Sequence, residues 1–465
     1  TSAQTNSDAA AKQSIGNAIR TCGGAGQTIQ VHAGQYDEAF DNNTFYRNGG
    51  SVSGTFPGGA SESNRFVIEG APGELVEIRP LQEYAGGVFF NNLVSWVTLR
   101  RLVLDSRNQQ GSTSNAWKAT IPATHWTLED VEGRNSRGSV LAMGDDSPDP
   151  RSCDRGCFHQ FIRVNAHDVC PGCTTTQKSF AHGAYVGCSD NTFTGGSYHG
   201  AGHGIQSYCD PGGSIAGNPD RNKFYGVTFH DNLSVGLGLY FGSGLEVVNS
   251  LSYNNQGAGI WAQANNVLAY SNTVTGNSGA GLSCNQGNTS DTKNNLSVAN
   301  GGSEFEDCPA SSGNGNIASS NPNDFFVSAA GGNYKIGPAG SPAVNGGVTL
   351  PNVYPTNVDL EGLGRPPAGG FTSGAFQFAG SAAPSPNIVA RYQADGNATN
   401  SGTGGSALNG TLTNGALANG APIVSGNSFV FDGVNDVVIV PGNSALRPAA
   451  IGMSLWVNST TPPAT

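Results

Sequence analysis

The stretch Asn232-Leu-Ser-Val-Gly-Leu-Gly-Leu-Tyr-Phe241 recurs in outline at 255–263 and again at 277–285. Its glycine returns as Gly236, Gly259 and Gly281, at spacings of 23 and 22 residues. Its asparagine keeps the same frame, as Asn232, Asn255, Asn277 and Asn300. A short alternating strand follows each glycine, and a period this short cannot hold a strand and a helix. It fits one coil of a parallel β-solenoid, whose stacked coils bury a continuous core.

The composition agrees with an extracellular all-β protein. The chain has 465 residues, of which 68 are Gly and only 12% are charged, and its formal net charge is −11. Many glycines predict many turns and few helices. The negative charge disfavours nucleic acid as a partner, and no apolar run approaches the ~20 residues of a membrane span. Nine cysteines and a first residue other than Met favour a secreted, extracellular or cell-surface setting.

Three segments resemble a known family. A short amphipathic helix over residues 8–20 precedes Gly26-Gln-Thr-Ile-Gln-Val-His-Ala-Gly-Gln-Tyr36 and Ile68-Glu-Gly-Ala-Pro-Gly73. Asn321-Pro-Asn-Asp-Phe-Phe-Val327 and Gly340-Ser-Pro-Ala-Val-Asn-Gly-Gly347 follow the repeats. Together they resemble the helical cap, first coils and closing segment of the pectin-lyase-like superfamily. The resemblance implies a right-handed parallel β-helix over 1–378 with a short N-terminal helical cap. It does not imply an activity, because this superfamily mixes enzymes and non-enzymes.

The end of the chain has a different character. A linker of small residues and proline covers 379–387. The segment 388–465 contains Phe429-Val-Phe-Asp-Gly-Val-Asn-Asp-Val-Val438 and resembles the first half of a LamG or concanavalin-A-like jelly roll. We therefore expect a partial β-sandwich there.

Placing the glycines in register separates core from surface. Gly183 and Gly204 extend the series toward the N-terminus, and the first and third residues after each glycine are mostly apolar and should point inward. The residues between them should face solvent. They form a predicted sugar-binding surface of Tyr185, Gln206, Tyr208, Tyr240, Trp261 and Gln263. The alternative is that these aromatic rings only stabilise the sheet.

Two insertions interrupt the repeat, after Met143 and after Cys209, and should wall this surface. Asp145 and Asp146 in the first could ligate Ca²⁺ as a cofactor, or could cap turns.

The cysteines predict disulfide bonds. Cys188 and Cys209 follow their glycines by the same distance, so they should meet on adjacent coils, and Cys284 could bridge to Cys308 in the same way. Cys153, Cys157, Cys170 and Cys173 should pin the first inserted region through disulfides, with Zn²⁺ ligation as the alternative.

A cluster of basic and titratable residues lies beside the predicted groove. Polyuronate lyases need a cation for the uronate carboxylate, a base and an acid. The candidates are Lys178, His182, His203, Arg221 and Lys223. The alternatives are a histidine ladder without a role and solvated charges. The sequence thus predicts a polysaccharide as partner and lyase-like action on an acidic glycan. A non-catalytic glycan-binding or adhesive surface protein and a glycoside hydrolase remain open.

Overall fold

The computed structural model describes most of the chain. The described residues are 14–84, 86–107, 109, 114–144, 155–209, 218–284, 290–308, 313–337, 341–366, 369–378, 389–392, 394, 397–402, 405–420, 428–443 and 446. They divide into two compact units. The first contains residues 1–363 and 369–378, and the second contains 364–368 and 379–465.

Three long sheets run the length of the first unit, and each complete coil contributes a strand to every sheet in the order A, B, C, with two extra strands in sheet C from the first coil and one extra strand in sheet B at the end. Sheet A comprises Thr28–Val31, Phe66–Gly70, Val97–Arg100, Thr127–Glu129, Gln160–Ile162, Thr192–Thr194, Lys223–Tyr225, Glu246–Val248, Leu268–Tyr270 and Asp291–Lys293. Sheet B comprises Gly34–Tyr36, Val76–Ile78, Val103–Asp105, Glu132–Arg134, Asn165–His167, Ser197–His199, Thr228–His230, Leu251–Tyr253, Thr273–Thr275, Leu296–Val298 and Ile317–Ser319.

Sheet C comprises Glu38–Phe40, Thr44–Arg47, Gly50–Ser53, Gly87–Asn92, Asn115–Thr120, Leu141–Gly144, His182–Val186, His203–Ser207, Leu237–Leu239, Ile260–Ala262, Leu282–Cys284 and Phe305–Glu306. The first three form an antiparallel edge, and every other pairing in the three sheets is parallel. The predicted parallel β-helix is therefore the observed fold.

The core lies between the three sheets and repeats from coil to coil. In sheet C the first residue after each register glycine is fully buried, and these residues pair as Ala184, Ile205, Leu237, Ile260 and Leu282. In sheet A the rings of Phe161, Phe193 and Phe224 stack on successive coils, with centroids 4.5 and 5.0 Å apart. Such aromatic pairs contribute about 0.5–1.5 kcal/mol each beyond the area that they bury.

Hydrogen-bonded asparagines stack at all three corners of the coil. The predicted ladder lies between sheets B and C, where the backbone N–H and Nδ2 of Asn232 both donate to Oδ1 of Asn255, at 3.2 and 2.8 Å. A second ladder runs through Asn272 and Asn295 between sheets A and B, and a third through Asn191 and Asn222 between sheets C and A. Buried backbone N–H groups at the turns are thereby satisfied.

The left-handed conformation belongs to the residue before each ladder asparagine. Asp231 and Asn254 have φ of 53° and 54°, whereas Asn232 and Asn255 are not among the residues with positive φ. The ladder asparagines therefore do not themselves adopt the left-handed conformation. They are placed instead by their side-chain amides, which bond to the next coil.

Both ends of the β-helix are covered by other segments of the chain. The helix Ile15–Cys22 packs its buried Ile15 and Ile19 on the first coil, and its first two free N–H groups donate to the carboxylate of Glu38, at 3.0 and 2.6 Å. The closing segment contains the 3₁₀ turn Pro322–Asp324 and the hairpin Phe326–Ser328 with Asn333–Ile336. Its aromatic residues pack on Leu251, Leu296 and Val298 of sheet B.

The described part of the second unit does not confirm the expected LamG-like sandwich. It has two antiparallel pairs, Thr411–Thr413 with Val437–Ile439 and Leu417–Gly420 with Ser428–Val430, and the 3₁₀ turn Gly405–Leu408. The other helix of the described residues is the single turn Thr175–Lys178, so no described helix has the length and hydropathy of a membrane span.

Candidate functional site on sheet C

The outer face of sheet C carries the row predicted from the glycine register. Tyr185 pairs with Gln206, and the row continues through Gly238 to Trp261. All three of these polar and aromatic side chains are half-buried. Residues on neighbouring parallel strands are ~4.8 Å apart, so these side chains form a continuous surface along the solenoid axis.

A cluster of aromatic rings lies where the strands of sheet C end. Tyr208 is at its centre, with its ring centroid 6.0 Å from Tyr240, 6.4 Å from Tyr185 and 5.3 Å from Phe241. The ring of Phe241 is 45% exposed, and the sequence reasoning did not select it. Exposed aromatic rings with adjoining amides suit the C–H faces and hydroxyl groups of sugars.

An open groove of about 310 Å³ continues from this cluster. Its lining includes the side chains of Asn218, Tyr240, Phe241, Gln263 and Asn265. The N–H and carbonyl groups of these amides can hydrogen-bond sugar hydroxyls, and the two rings offer apolar faces. Asn218 belongs to the second insertion, so the described end of this insertion borders the groove.

His182 and His203 pair on adjacent strands, with ring centroids 5.3 Å apart. Nδ1 of His182 lies 3.2 Å from Oγ of Ser139, and Nε2 of His203 lies 3.0 Å from the hydroxyl of Tyr240. Burial lowers the pKa of His182 to about 3 and that of His203 to about 4, so both rings are neutral at pH 7. Burial also raises the pKa of Tyr240, which keeps its phenol protonated.

The turn that precedes His182 packs against the strand of His203. Thr174 and Gln177 form a capping box at the start of Thr175–Lys178. The carbonyls of Lys178 and Ser179 then approach Gly202 so closely that a Cβ at this position would lie 2.7 Å from the Ser179 oxygen. The site therefore brings together His182 and His203 of the predicted cluster and adds Tyr240 to them, and the backbone of Lys178 packs beside them.

Arg221 and Lys223 lie elsewhere. Arg221 is at the corner between sheets C and A, where Nε and Nη2 donate to the two carboxylate oxygens of Asp190 at 2.7 and 2.8 Å. Lys223 begins a strand of sheet A and lies 3.5 Å from a carboxylate oxygen of Glu246. Neither is among the described residues that line the groove. Arg221 and Lys223 are thus each placed beside a carboxylate.

The disulfide pattern differs from the expected one at Cys188. Cys188 is bonded to Cys157, and their Cα atoms are 6.0 Å apart, so the predicted pair of Cys188 with Cys209 is wrong. The reason is that the register places Cys188 beyond the strand end, where Gly156 bridges Ser189 on the adjacent coil. Cys209 is disulfide-bonded, as are the predicted pair Cys284 and Cys308.

The predicted metal sites find no support among the described residues. Cys170 is bonded to Cys173, and with Cys157 also in a disulfide the four-cysteine zinc alternative is wrong. One described group has three potential ligands close together, Cys157, His159 and Cys188, but its two sulfurs are bonded to each other. Asp145, Asp146 and Cys153 lie outside the described residues, so the calcium prediction stays a prediction.

Comparisons with known proteins agree on the fold. A family model described as a right handed beta helix region matches residues 173–337. Among solved structures, pectate lyase Pel9A is similar at 15% identity and a TM-score of 0.51, over 81% of this chain and 94% of that one. The Azotobacter vinelandii mannuronan C-5 epimerase AlgE4 A-module is similar at 16% identity and a TM-score of 0.38, over 63% of this chain and 87% of that one. No curated protein matches the chain.

Proposed function

We propose that this protein binds a polysaccharide on the outer face of sheet C and acts on it by lyase-type proton transfer. The observation that carries the proposal is the 3.0 Å contact between Nε2 of His203 and the hydroxyl of Tyr240, inside a cluster of half-exposed rings. A proton-transfer pair and a sugar-binding surface thus occupy the same place. The fold shared with a pectate lyase supports this reading without fixing the substrate.

The binding part rests on chemistry that suits sugars. Tyr208, Tyr240 and Phe241 offer ring faces within one cluster, and Asn218 and Gln263 offer amides beside it. Pyranose rings present apolar C–H faces and polar edges, so both kinds of contact form at once. Trp261 and Gln206 extend the surface along the axis, which favours a polymer over a single sugar.

The catalytic part rests on the protonation states of the pair. In an elimination, a base removes the proton next to the uronate carboxylate and an acid protonates the departing oxygen. Neutral His203 can accept a proton, and protonated Tyr240 can release one. Lys178 lies in the turn that packs on Gly202 and is the cation that we assign to offset a substrate carboxylate. Hydrolysis would need two carboxyl groups, and the described residues that line the groove contain none.

An assay of product formation tests this function. We expect one or more uronate polymers, from a panel of polygalacturonate, alginate and glucuronan, to give unsaturated products that absorb at 232 nm, measured both with Ca²⁺ and with a chelator. Neutral xylan and glucan serve as controls, and reducing-end assays detect hydrolysis. Binding without product on every polymer would reduce the protein to a glycan-binding surface protein. Reducing ends without absorbance would identify a hydrolase.

The disulfides described above support a site of action outside the cytoplasm, because such bonds persist in oxidising compartments. We therefore propose that the protein is secreted or held at a cell surface. Fractionation of the producing cells, followed by immunodetection, tests this placement.

A further inference from the structure

The outer row of sheet C continues beyond Tyr185 toward the N-terminal coils. Tyr185 pairs with Ala142, and Ala142 pairs with Lys118. Trp117 and Ala119, on either side of Lys118, are buried in the core, so the alternation of the strand turns Lys118 to the outer face, where its side chain is half-buried. Because neighbouring strands are ~4.8 Å apart, Lys118 lies roughly 10 Å from Tyr185 along the axis.

The other end of the row carries the opposite charge. Trp261 pairs with Ser283, and Ser283 pairs with Glu306, whose side chain is half-buried. Nε2 of Gln263 donates to Oγ of Ser283 at 3.3 Å, so Ser283 lies on the same face as the groove that Gln263 lines. Glu306 is therefore as far beyond one end of the row as Lys118 is beyond the other.

These two charges stand alone on a face of rings, amides and small side chains. Sheet C has eight parallel strands from Asn115–Thr120 to Phe305–Glu306, all of them described, and Lys118 and Glu306 are their only Lys, Arg, Asp or Glu residues. Seven strand spacings, roughly 34 Å, separate the two charges. This separation exceeds the Debye length of about 8 Å at physiological ionic strength, so each charge acts on its own end of a bound polymer.

We infer that a bound acidic polysaccharide extends from the site toward the N-terminal coils, where Lys118 binds the carboxylate of a sugar unit that is not cleaved, and that Glu306 repels the polymer at the opposite end. The strand of Lys118 is three strands from that of His203, roughly 14 Å, so the two residues contact different sugar units. This inference rests on the proposed function and gives its polymer a direction along the axis. Lys178 keeps its role at the reacting sugar, and Lys118 contributes to specificity.

The chemistry of a uronate polymer suits this arrangement. Every unit carries a carboxylate, so whichever unit reaches Lys118 offers its ammonium group an acceptor. The contact forms equally in the ground state and in the transition state, so its loss should raise KM and leave kcat unchanged. A neutral glycan has no carboxylate for Lys118, so the preference for acidic polymers depends on this residue.

Binding of polygalacturonate and alginate to charge variants of the full chain tests the inference. Lys118→Gln should weaken the affinity, measured by isothermal titration at low salt, by about 3–5-fold, as expected for the loss of one partly exposed ion pair. Lys118→Arg should keep the affinity of wild type because it keeps the charge. Lys335→Gln is the matched control, since it removes the same charge from a residue of the closing hairpin that pairs with Glu361 at 2.7 Å.

Glu306→Gln should bind both polymers at least as tightly as wild type, with Glu361→Gln as its control. Equal affinities of Lys118→Gln and Lys335→Gln would overturn the inference, as would equal losses in Lys118→Gln and Lys118→Arg or weaker binding by Glu306→Gln. The expected loss in Lys118→Gln, without product from wild type on any polymer, would instead contradict the lyase part of the proposed function and leave this inference standing. Failure of wild type to bind either polymer would overturn both.

Discussion

Gly236 lies against the side-chain amide of Asn255 on the next coil. A Cβ at position 236 would come within 2.8 Å of Nδ2 of Asn255, and the same relation joins Gly281 to Asn300 at 2.8 Å. The repeated glycine and the repeated asparagine seen in the sequence are thus parts of one packing motif. The glycine leaves the space into which the ladder amide of the following coil fits.

This relation predicts that the register glycines cannot gain a side chain. Gly236→Ala should lower the free energy of unfolding by roughly 1–3 kcal/mol or more, because the methyl group must displace a buried amide and a backbone carbonyl. Urea unfolding followed by circular dichroism measures the change. Gly24→Ala is the control. Equal free energies of unfolding for the two variants would show that the asparagine ladder can shift to make room for the methyl group without losing stability.

Tyr240→Phe should retain polysaccharide binding and lose turnover. The ring remains for contact with the sugar, but the hydroxyl that contacts His203 is gone. We expect kcat to fall by about 10²–10⁴-fold with a small change in KM, as is typical for loss of a general acid or base. Tyr354→Phe is the control, since its ring is 58% exposed and contacts Tyr225 on sheet A. A kcat equal to that of wild type would remove Tyr240 from the chemistry.

Arg221→Ala should leave binding and turnover nearly unchanged. Its guanidinium is paired with Asp190 and is 54% exposed, and exposed ion pairs of this kind contribute about 0–1 kcal/mol. Affinity measured by isothermal titration with the best polymer checks this expectation. A loss of affinity as large as that caused by Tyr208→Ala would show that Arg221 contributes to polysaccharide binding.

Acid should destabilise the fold through buried histidines. The folded pKa of His182 is about 3, below the ordinary value of about 6.5, so only the unfolded chain takes up its proton between these values. Stability is complete above pH 6.5 and falls as the pH decreases, by about 1.4 kcal/mol per pH unit for this histidine. Chemical unfolding between pH 6.5 and 5 should show a shallower slope for His182→Gln than for His32→Gln, whose imidazole is 71% exposed. Identical slopes would contradict the burial of His182.

The disulfide Cys284–Cys308 should stabilise the last coils. It closes a loop with a sequence separation of 24, for which the loss of chain entropy corresponds to about 3 kcal/mol. The Cys284→Ser/Cys308→Ser double variant should therefore unfold at lower urea than wild type by that free energy. The Cys22→Ser variant is the control, because Cys22 is an exposed free thiol. No difference between the two would show that the bridge closes a loop already ordered by the ladders.

The fold could be predicted because each coil forms the same turn and the same strand with the same residue types. Gly236 and Asn232 repeat at a nearly constant spacing, and the alternating residues after each glycine separate core from surface. The ladder between sheets C and A escaped detection because an insertion interrupts its spacing, and the ladder between sheets A and B was missed although its spacing is as regular as that of the identified ladder. Asn191 and Asn222 are 31 residues apart across an insertion, whereas Asn272 and Asn295 are 23 apart.

The site was predictable in its surface but not in its contacts. The register placed Tyr185, Gln206 and Trp261 in one row, but the contact of His203 with Tyr240 joins side chains 37 residues apart that belong to different rows. Phe241 gave no signal, because it follows the strand and its exposure depends on the bend of the chain. Arg221 was placed beside the groove because it is close in sequence to an insertion, but closeness in sequence does not determine the direction in which a side chain at a corner points. Its partner Asp190 is fixed by the coil that precedes it.

Each ladder asparagine bonds only to neighbouring coils. The number of coils can therefore change without disrupting the ladders in the rest of the molecule. Removal or duplication of one whole coil, such as residues 251–272, would return the chain to an equivalent corner with an equivalent partner. The length of the face on sheet C is then set by the number of coils, whereas the contact of His203 with Tyr240 needs only two adjacent coils. The extent of this face and the local arrangement at His203 can therefore vary separately in proteins built in this way.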